Sequence, residues 1–150
     1  MKTRVHVIAG TIATFTIAAF FTSTIFVELF GSRESITTVK RLIAIPGLFI
    51  LIPAIATAGA TGFRLSRSRK EQLAQNKKKR MRLIAVNGIF ILAPSAIILH
   101  LWSVDGIFSG RFYILQSIEL IAGATNLIMM GRNMRDGLRM SGGRSKRLIR

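Results

Sequence analysis

Apolar residues fill four long runs of this chain, and polar residues are confined to narrow stripes within the runs and to the segments between them. The runs cover residues 5–30, 42–63, 83–103 and 111–131. At a rise of about 1.5 Å per residue, each is long enough as a helix to cross a hydrocarbon core of about 30 Å. The pattern predicts an all-α membrane protein, a single domain whose four transmembrane helices form an up-down bundle. The basic start, Met1-Lys2-Thr3-Arg4, followed by apolar sequence also suits a signal peptide, but such apolar regions span about 7–15 residues and end in an A-x-A-like site. The first run is longer and lacks that site, so it reads as the first span.

Within the fourth run, Gln116, Glu119, Gly123, Asn126 and Met130 follow at spacings of three and four and share one stripe of a helix. Ile114, Ile118, Ile121 and Ile128 supply the opposite, lipid-compatible face. An ionisable group at the bilayer centre costs about 2.5–3.5 kcal/mol on insertion scales, so the stripe is expected to face the bundle interior. The first run carries a matching stripe of His6, Gly10, Thr14, Ile17, Phe21, Thr24 and Glu28. The second places Pro46 and Pro53 on one face and ends in the small residues Thr57 to Gly62, which allow close helix packing. The third bears Asn87, Pro94, Ser95 and His100, with Trp102 at its interfacial end.

Charge then orients the helices. The chain carries 22 Lys and Arg against 6 Asp and Glu, a formal net charge of +16. Eighteen of the basic residues lie in the N-terminal start, the segment 64–82 and the tail 132–150, and four lie in the connectors 31–41 and 104–111. The positive-inside rule therefore predicts cytoplasmic termini, a cytoplasmic 64–82 loop and a multi-pass protein of the cell's inner (plasma) membrane. Arg64, Arg67, Lys77, Lys78, Lys79 and Arg80 are the expected contacts to anionic lipid headgroups, at about 1 kcal/mol per basic residue. The 64–82 loop has no aromatic residue on which bases could stack, so nucleic acid is not an expected partner. With no cysteine, disulfides and thiolate chemistry are excluded. No P-loop, nucleophile-elbow or zinc-protease motif is present, and no metal site or enzymatic activity is expected.

Counting turns from the helix ends sorts the polar residues into layers. Glu119 falls about 12 Å below its helix end, level with Ser95 and with Thr22 to Thr24. It is expected to be held uncharged and bonded to Ser95 or Thr24, or else to handle protons or cations. Asn126 falls level with Asn87, which predicts an interhelical hydrogen bond worth about 0.6–2 kcal/mol. Glu28, Asn87, Ser95, Gln116, Glu119 and Asn126 thus form the expected polar interior. His6 lies on the inward stripe near the start of the first span, where an imidazole can ligate a metal or haem. His100 lies about 20–30 Å away, toward the opposite membrane face.

A first span opening with Val5-His6-Val7-Ile8-Ala9-Gly10, followed by a span containing Pro46-Gly47, resembles the small bacterial membrane proteins of the copper-resistance-D and protoporphyrinogen-oxidase-like kind over roughly the first 60 residues. The resemblance implies a four-helix bundle with a b-type haem near the cytoplasmic end, ligated by His6. The chain departs from that pattern in lacking the tryptophan and paired glycines expected after the histidine.

Three functions are compatible with these features. The expected one is a non-enzymatic accessory, assembly or interaction protein that meets a membrane-protein partner through its polar stripe and basic face. A haem-binding redox protein using His6 is the second. The third is a small proton-coupled transporter using Glu119, formed as a homodimer because four helices enclose little room.

Overall fold

The computed structural model describes residues 2–66 and 72–147, and the described residues contain helices and short connections but no strand. The helices are α1 (Lys2–Phe30), α2 (Arg33–Leu42), α3 (Leu48–Ser66), α4 (Gln72–Asn87), α5 (Ala93–Val104) and α6 (Gly110–Arg147). Two π-helical turns, π1 (Ile43–Gly47) and π2 (Gly88–Leu92), join α2 to α3 and α4 to α5 without a break. Four continuous segments result, Arg4–Phe30, Arg33–Arg64, Gln75–Val104 and Gly110–Leu138, and all four are long and apolar enough to cross a membrane. Their outward faces carry Phe15, Phe49, Phe90 and Ile121, each at least 69% exposed. So much apolar surface around the whole waist suits lipid rather than water.

The second segment begins nine residues earlier than the expected start at Leu42. Ser32 caps α2, its hydroxyl accepting from the Ser35 N–H at 3.3 Å, with Glu34 in the first turn. Such a cap satisfies an otherwise orphaned donor and favours helix from that point. Ile36, Lys40 and Ile43 then fall on one buried stripe, so the residues read as a connector are an amphipathic helix docked on the bundle. Thr37 fastens it at the far end from the basic segments, its hydroxyl donating to the Ser103 carbonyl at 3.1 Å. The third segment likewise begins as helix inside the basic 64–82 stretch, and α6 continues beyond residue 131.

The π turns lie where prolines disturb the helical ladder. A proline cannot donate to the carbonyl four residues back, and a wider turn re-pairs the carbonyls it strands. In π1, which contains Pro46, the Leu48 N–H bonds to the Ile43 carbonyl five residues back. In π2, just ahead of Pro94, the Ala93 N–H bonds to the Gly88 carbonyl. Pro46 and Pro53 are both exposed, so their rings point outward and leave the inner faces to smaller contacts. At Gly47 a side chain would run into the Phe20 ring of α1, and at Gly62 a Cβ would stand 2.7 Å from His6 Cε1 and 2.5 Å from Met81 Cε. These two glycines are where α1 presses on the second segment.

The main core lies between the helices around Ala13, Ile17, Ile43, Leu51, Ala96 and Met130. A smaller one, formed by Val27, Ile36, Leu99 and Phe112, closes the far end.

Candidate functional site

The inner stripe of α6 runs nearly the length of the bundle, and partners for it come from the other segments in turn. Gln116, Glu119, Asn126, Asn133 and Asp136 are all buried along it. Nearest the far end, Lys40 of α2 reaches across to Glu119, its Nζ donating to Oε2 at 2.6 Å. Lys40 is fully buried and Glu119 is 9% exposed. Gln116 Nε2 approaches the same carboxylate oxygen at 3.4 Å. The Glu28 side chain from the end of α1 feels the charges of both Lys40 and Glu119, and its Oε1 is buried with no hydrogen-bond partner.

This arrangement corrects the expectation that Glu119 would be held uncharged and bonded to Ser95 or Thr24. Ser95 and Thr24 are buried, but the partner of Glu119 is Lys40. The lysine was missed because it sits in a polar stretch that reads as a connector. A signal existed in the sequence: Ile36, Val39, Lys40 and Ile43 repeat at helical spacing and put the ammonium on an apolar stripe.

Further along α6, Asn87 Nδ2 donates to Asn126 Oδ1 and to the Ala122 carbonyl, both at 2.9 Å. Asn126 Nδ2 returns a bond to the Ile84 carbonyl at 3.4 Å. The two asparagines therefore meet across the α4–α6 contact, as their matched depths predicted. At the basic end the Arg80 guanidinium pairs with the Asp136 carboxylate. Arg80 was expected among the headgroup contacts, and the structure turns it inward instead. The signal for this pair was Asp136, the one acid in the basic tail. Arg80 Nε and Asn133 Oδ1 are buried nearby without partners.

The other basic candidates divide by exposure. Arg64 and Lys79 are exposed and free to meet headgroups. Lys78 is half-buried, with its ammonium 5.6 Å from the centre of the Phe63 ring, and Lys77 is half-buried with its Nζ close to Gly137. Arg67 lies outside the described residues.

His6 holds α1 to α3. Its Nδ1 lies 3.0 Å from the Ala58 carbonyl, which fixes that nitrogen as the donor, and 3.3 Å from Thr61 Oγ1. The free Nε2 could in principle ligate, but the ring is packed against Gly62 with the Met81 thioether on the same glycine. Among the described residues no three His, Asp or Glu side chains come together as a metal site.

Beside Glu119 lies a cleft of about 50 Å³. It is walled by Ile17, Phe20 and Phe21 of α1, by Leu48 and Leu51 of α3, and by Leu92, Leu120 and Gly123. Thr24 and Glu119 are its polar members. The fold and this site together define an all-helical chain with the dimensions of a four-span membrane bundle and a charged cluster in its interior. No family model, curated protein or solved structure matches the chain.

Proposed function

We propose that the chain is a small multi-pass protein of the plasma membrane, with its basic end in the cytoplasm, that carries protons or a coupled cation through the Glu28–Lys40–Glu119 cluster. The observation that supports this reading is the cluster's composition: two carboxyl groups feel one ammonium, and one carboxyl oxygen is buried with no hydrogen-bond partner. Removing an ion from water costs several kcal/mol even after relaxation, and a bundle held together by packing alone has no need of that expense. Ionisable groups inside membrane segments accordingly mark ion and proton pathways more often than structural joints. The chemistry available is exchange. A proton can sit on either carboxylate, while Lys40 compensates whichever one is charged.

The alternative role, an interaction protein working through its polar stripe, has less to draw on. Glu119, Asn126 and Asp136 are already engaged by Lys40, Asn87 and Arg80 inside the chain, so a partner would have to use the lipid-facing surface or the exposed basic residues.

The test is proton flux. Vesicles reconstituted with the protein and loaded with a pH-sensitive dye are given a pH step with the membrane potential clamped. The wild-type protein should collapse the gradient at least tenfold faster than Glu119→Gln. Collapse no faster than in protein-free vesicles, with the supplied cations varied, would sink the carrier reading.

A further inference from the structure

We infer that the cleft beside Glu119 takes a small apolar monovalent cation, an alkylated ammonium, which displaces Lys40 from Glu119 while Lys40 turns to Glu28. The inference rests on the carrier reading and names what is carried. Glu119 is the one ionisable residue in the cleft wall, and the remaining wall is apolar apart from Thr24. A ligand matched to such a wall has an apolar surface and one positive charge. Phe20 and Phe21 are also in the wall, and aromatic rings attract quaternary ammonium groups.

A hard metal ion suits the cleft poorly. Such ions take about six or more oxygen ligands, and the wall offers one carboxylate and one hydroxyl. A sugar or a peptide would leave many polar groups unpaired against leucine and phenylalanine. The volume sets the size. A cleft of about 50 Å³ is small, so the head group is of methylammonium to tetramethylammonium class.

Lys40 is the cation already on Glu119, bonded to Oε2 from outside the cleft wall, and in the exchange the incoming cation takes its place. The buried Glu28 oxygen without a partner gives the displaced ammonium a place to go. Charge balances through the exchange. Before binding, Lys40 neutralises Glu119 and a proton neutralises Glu28. Afterwards the ligand neutralises Glu119, Lys40 neutralises Glu28 with all three of its own protons retained, and the Glu28 proton leaves to water. No covalent bond other than that O–H bond is broken. One cation in for one proton out is the stoichiometry of an exchanger. The charged groups acting on Glu28 in this exchange are Lys40 and Glu119.

The experiment uses the full chain in detergent, with labelled tetramethylammonium in equilibrium binding and a dye recording protons in a lightly buffered solution. Saturable binding with close to one proton released per cation is the expected result. Glu119→Gln should weaken binding at least tenfold, and Glu28→Gln should abolish proton release. Gly123→Val places methyl groups into the cleft from a position where a Cβ makes an ordinary 3.5 Å contact with the Phe21 ring, so the variant should fold as a monodisperse species and bind at least fivefold more weakly. Absence of tetramethylammonium binding in a protein whose vesicles still pass protons would overturn the inference and leave the carrier reading standing. Failure of both would overturn both. Binding equally tight in Glu119→Gln would show an apolar, lipid-like occupant and would also overturn it.

Discussion

In the half of the bundle nearer its basic end, α6 presents Asn126 and Asp136, and across the helix contact each meets a side chain that answers it, Asn87 in one case and Arg80 in the other. In the far half α6 presents Glu119, and Lys40 answers it, but Glu28 stands by the same ammonium with an oxygen that nothing answers. The two halves use one helix face and the same type of reach across the interface. They differ in their acids: Asp136 stands with Arg80 nearer the basic end, while Glu28 and Glu119 both stand beside Lys40 in the far half. One acid with one base can be wholly structural, whereas two carboxyl groups beside one ammonium leave a place for a proton or another cation.

The contrast can be broken most severely at Lys40. Lys40→Met leaves Glu119 in the interior without its cation and should cost about 3–5 kcal/mol of unfolding free energy in detergent, most of it recovered by adding Glu119→Leu. If the single variant unfolds like wild type, the ammonium is not committed to Glu119. Next comes Arg80→Ala, which leaves Asp136 buried without its guanidinium and should cost about 1.5–3 kcal/mol. The neighbouring Lys79→Ala, at an exposed position, should stay within about 0.5 kcal/mol in the same assay. Equal effects would return Arg80 to the headgroup role first expected of it. The smallest effect belongs to the asparagines. Asn126→Leu should cost up to about 2 kcal/mol, with Asn87→Leu adding less than its own single-variant loss. Strictly additive losses would mean that the two side chains do not support each other.

Legibility in the sequence follows the same division. The stripe on α6 and the Asn87–Asn126 contact could be read because both partners lie inside apolar runs, where a polar residue stands out and depth can be counted from either helix end. Lys40 and Arg80 could not be read in that way. Each sits in a polar or basic stretch, where one more charge carries no contrast, and charge counting treats every such residue as topology or headgroup. Only the helical phase of Ile36, Val39, Lys40 and Ile43 separates the buried ammonium from the exposed guanidinium of Arg41 beside it. Glu28 was placed on the inward stripe of α1, but its unpartnered oxygen depends on packing that no local pattern encodes.

The π turn after Lys40 has a consequence in terms of inheritance. A π turn is an α-helix with one residue too many, and taking one residue out restores the α period. In π1 the wider turn already absorbs the extra residue, so that loss would leave the faces of α2 and α3 nearly in phase and Lys40 still directed at α6. Losing the apolar, exposed Ile45 would therefore leave the cluster armed, whereas replacing the lysine would not. The buried ammonium and the supernumerary residue are thus separable in descent: chain length at this turn can change while the identity of the charge is held.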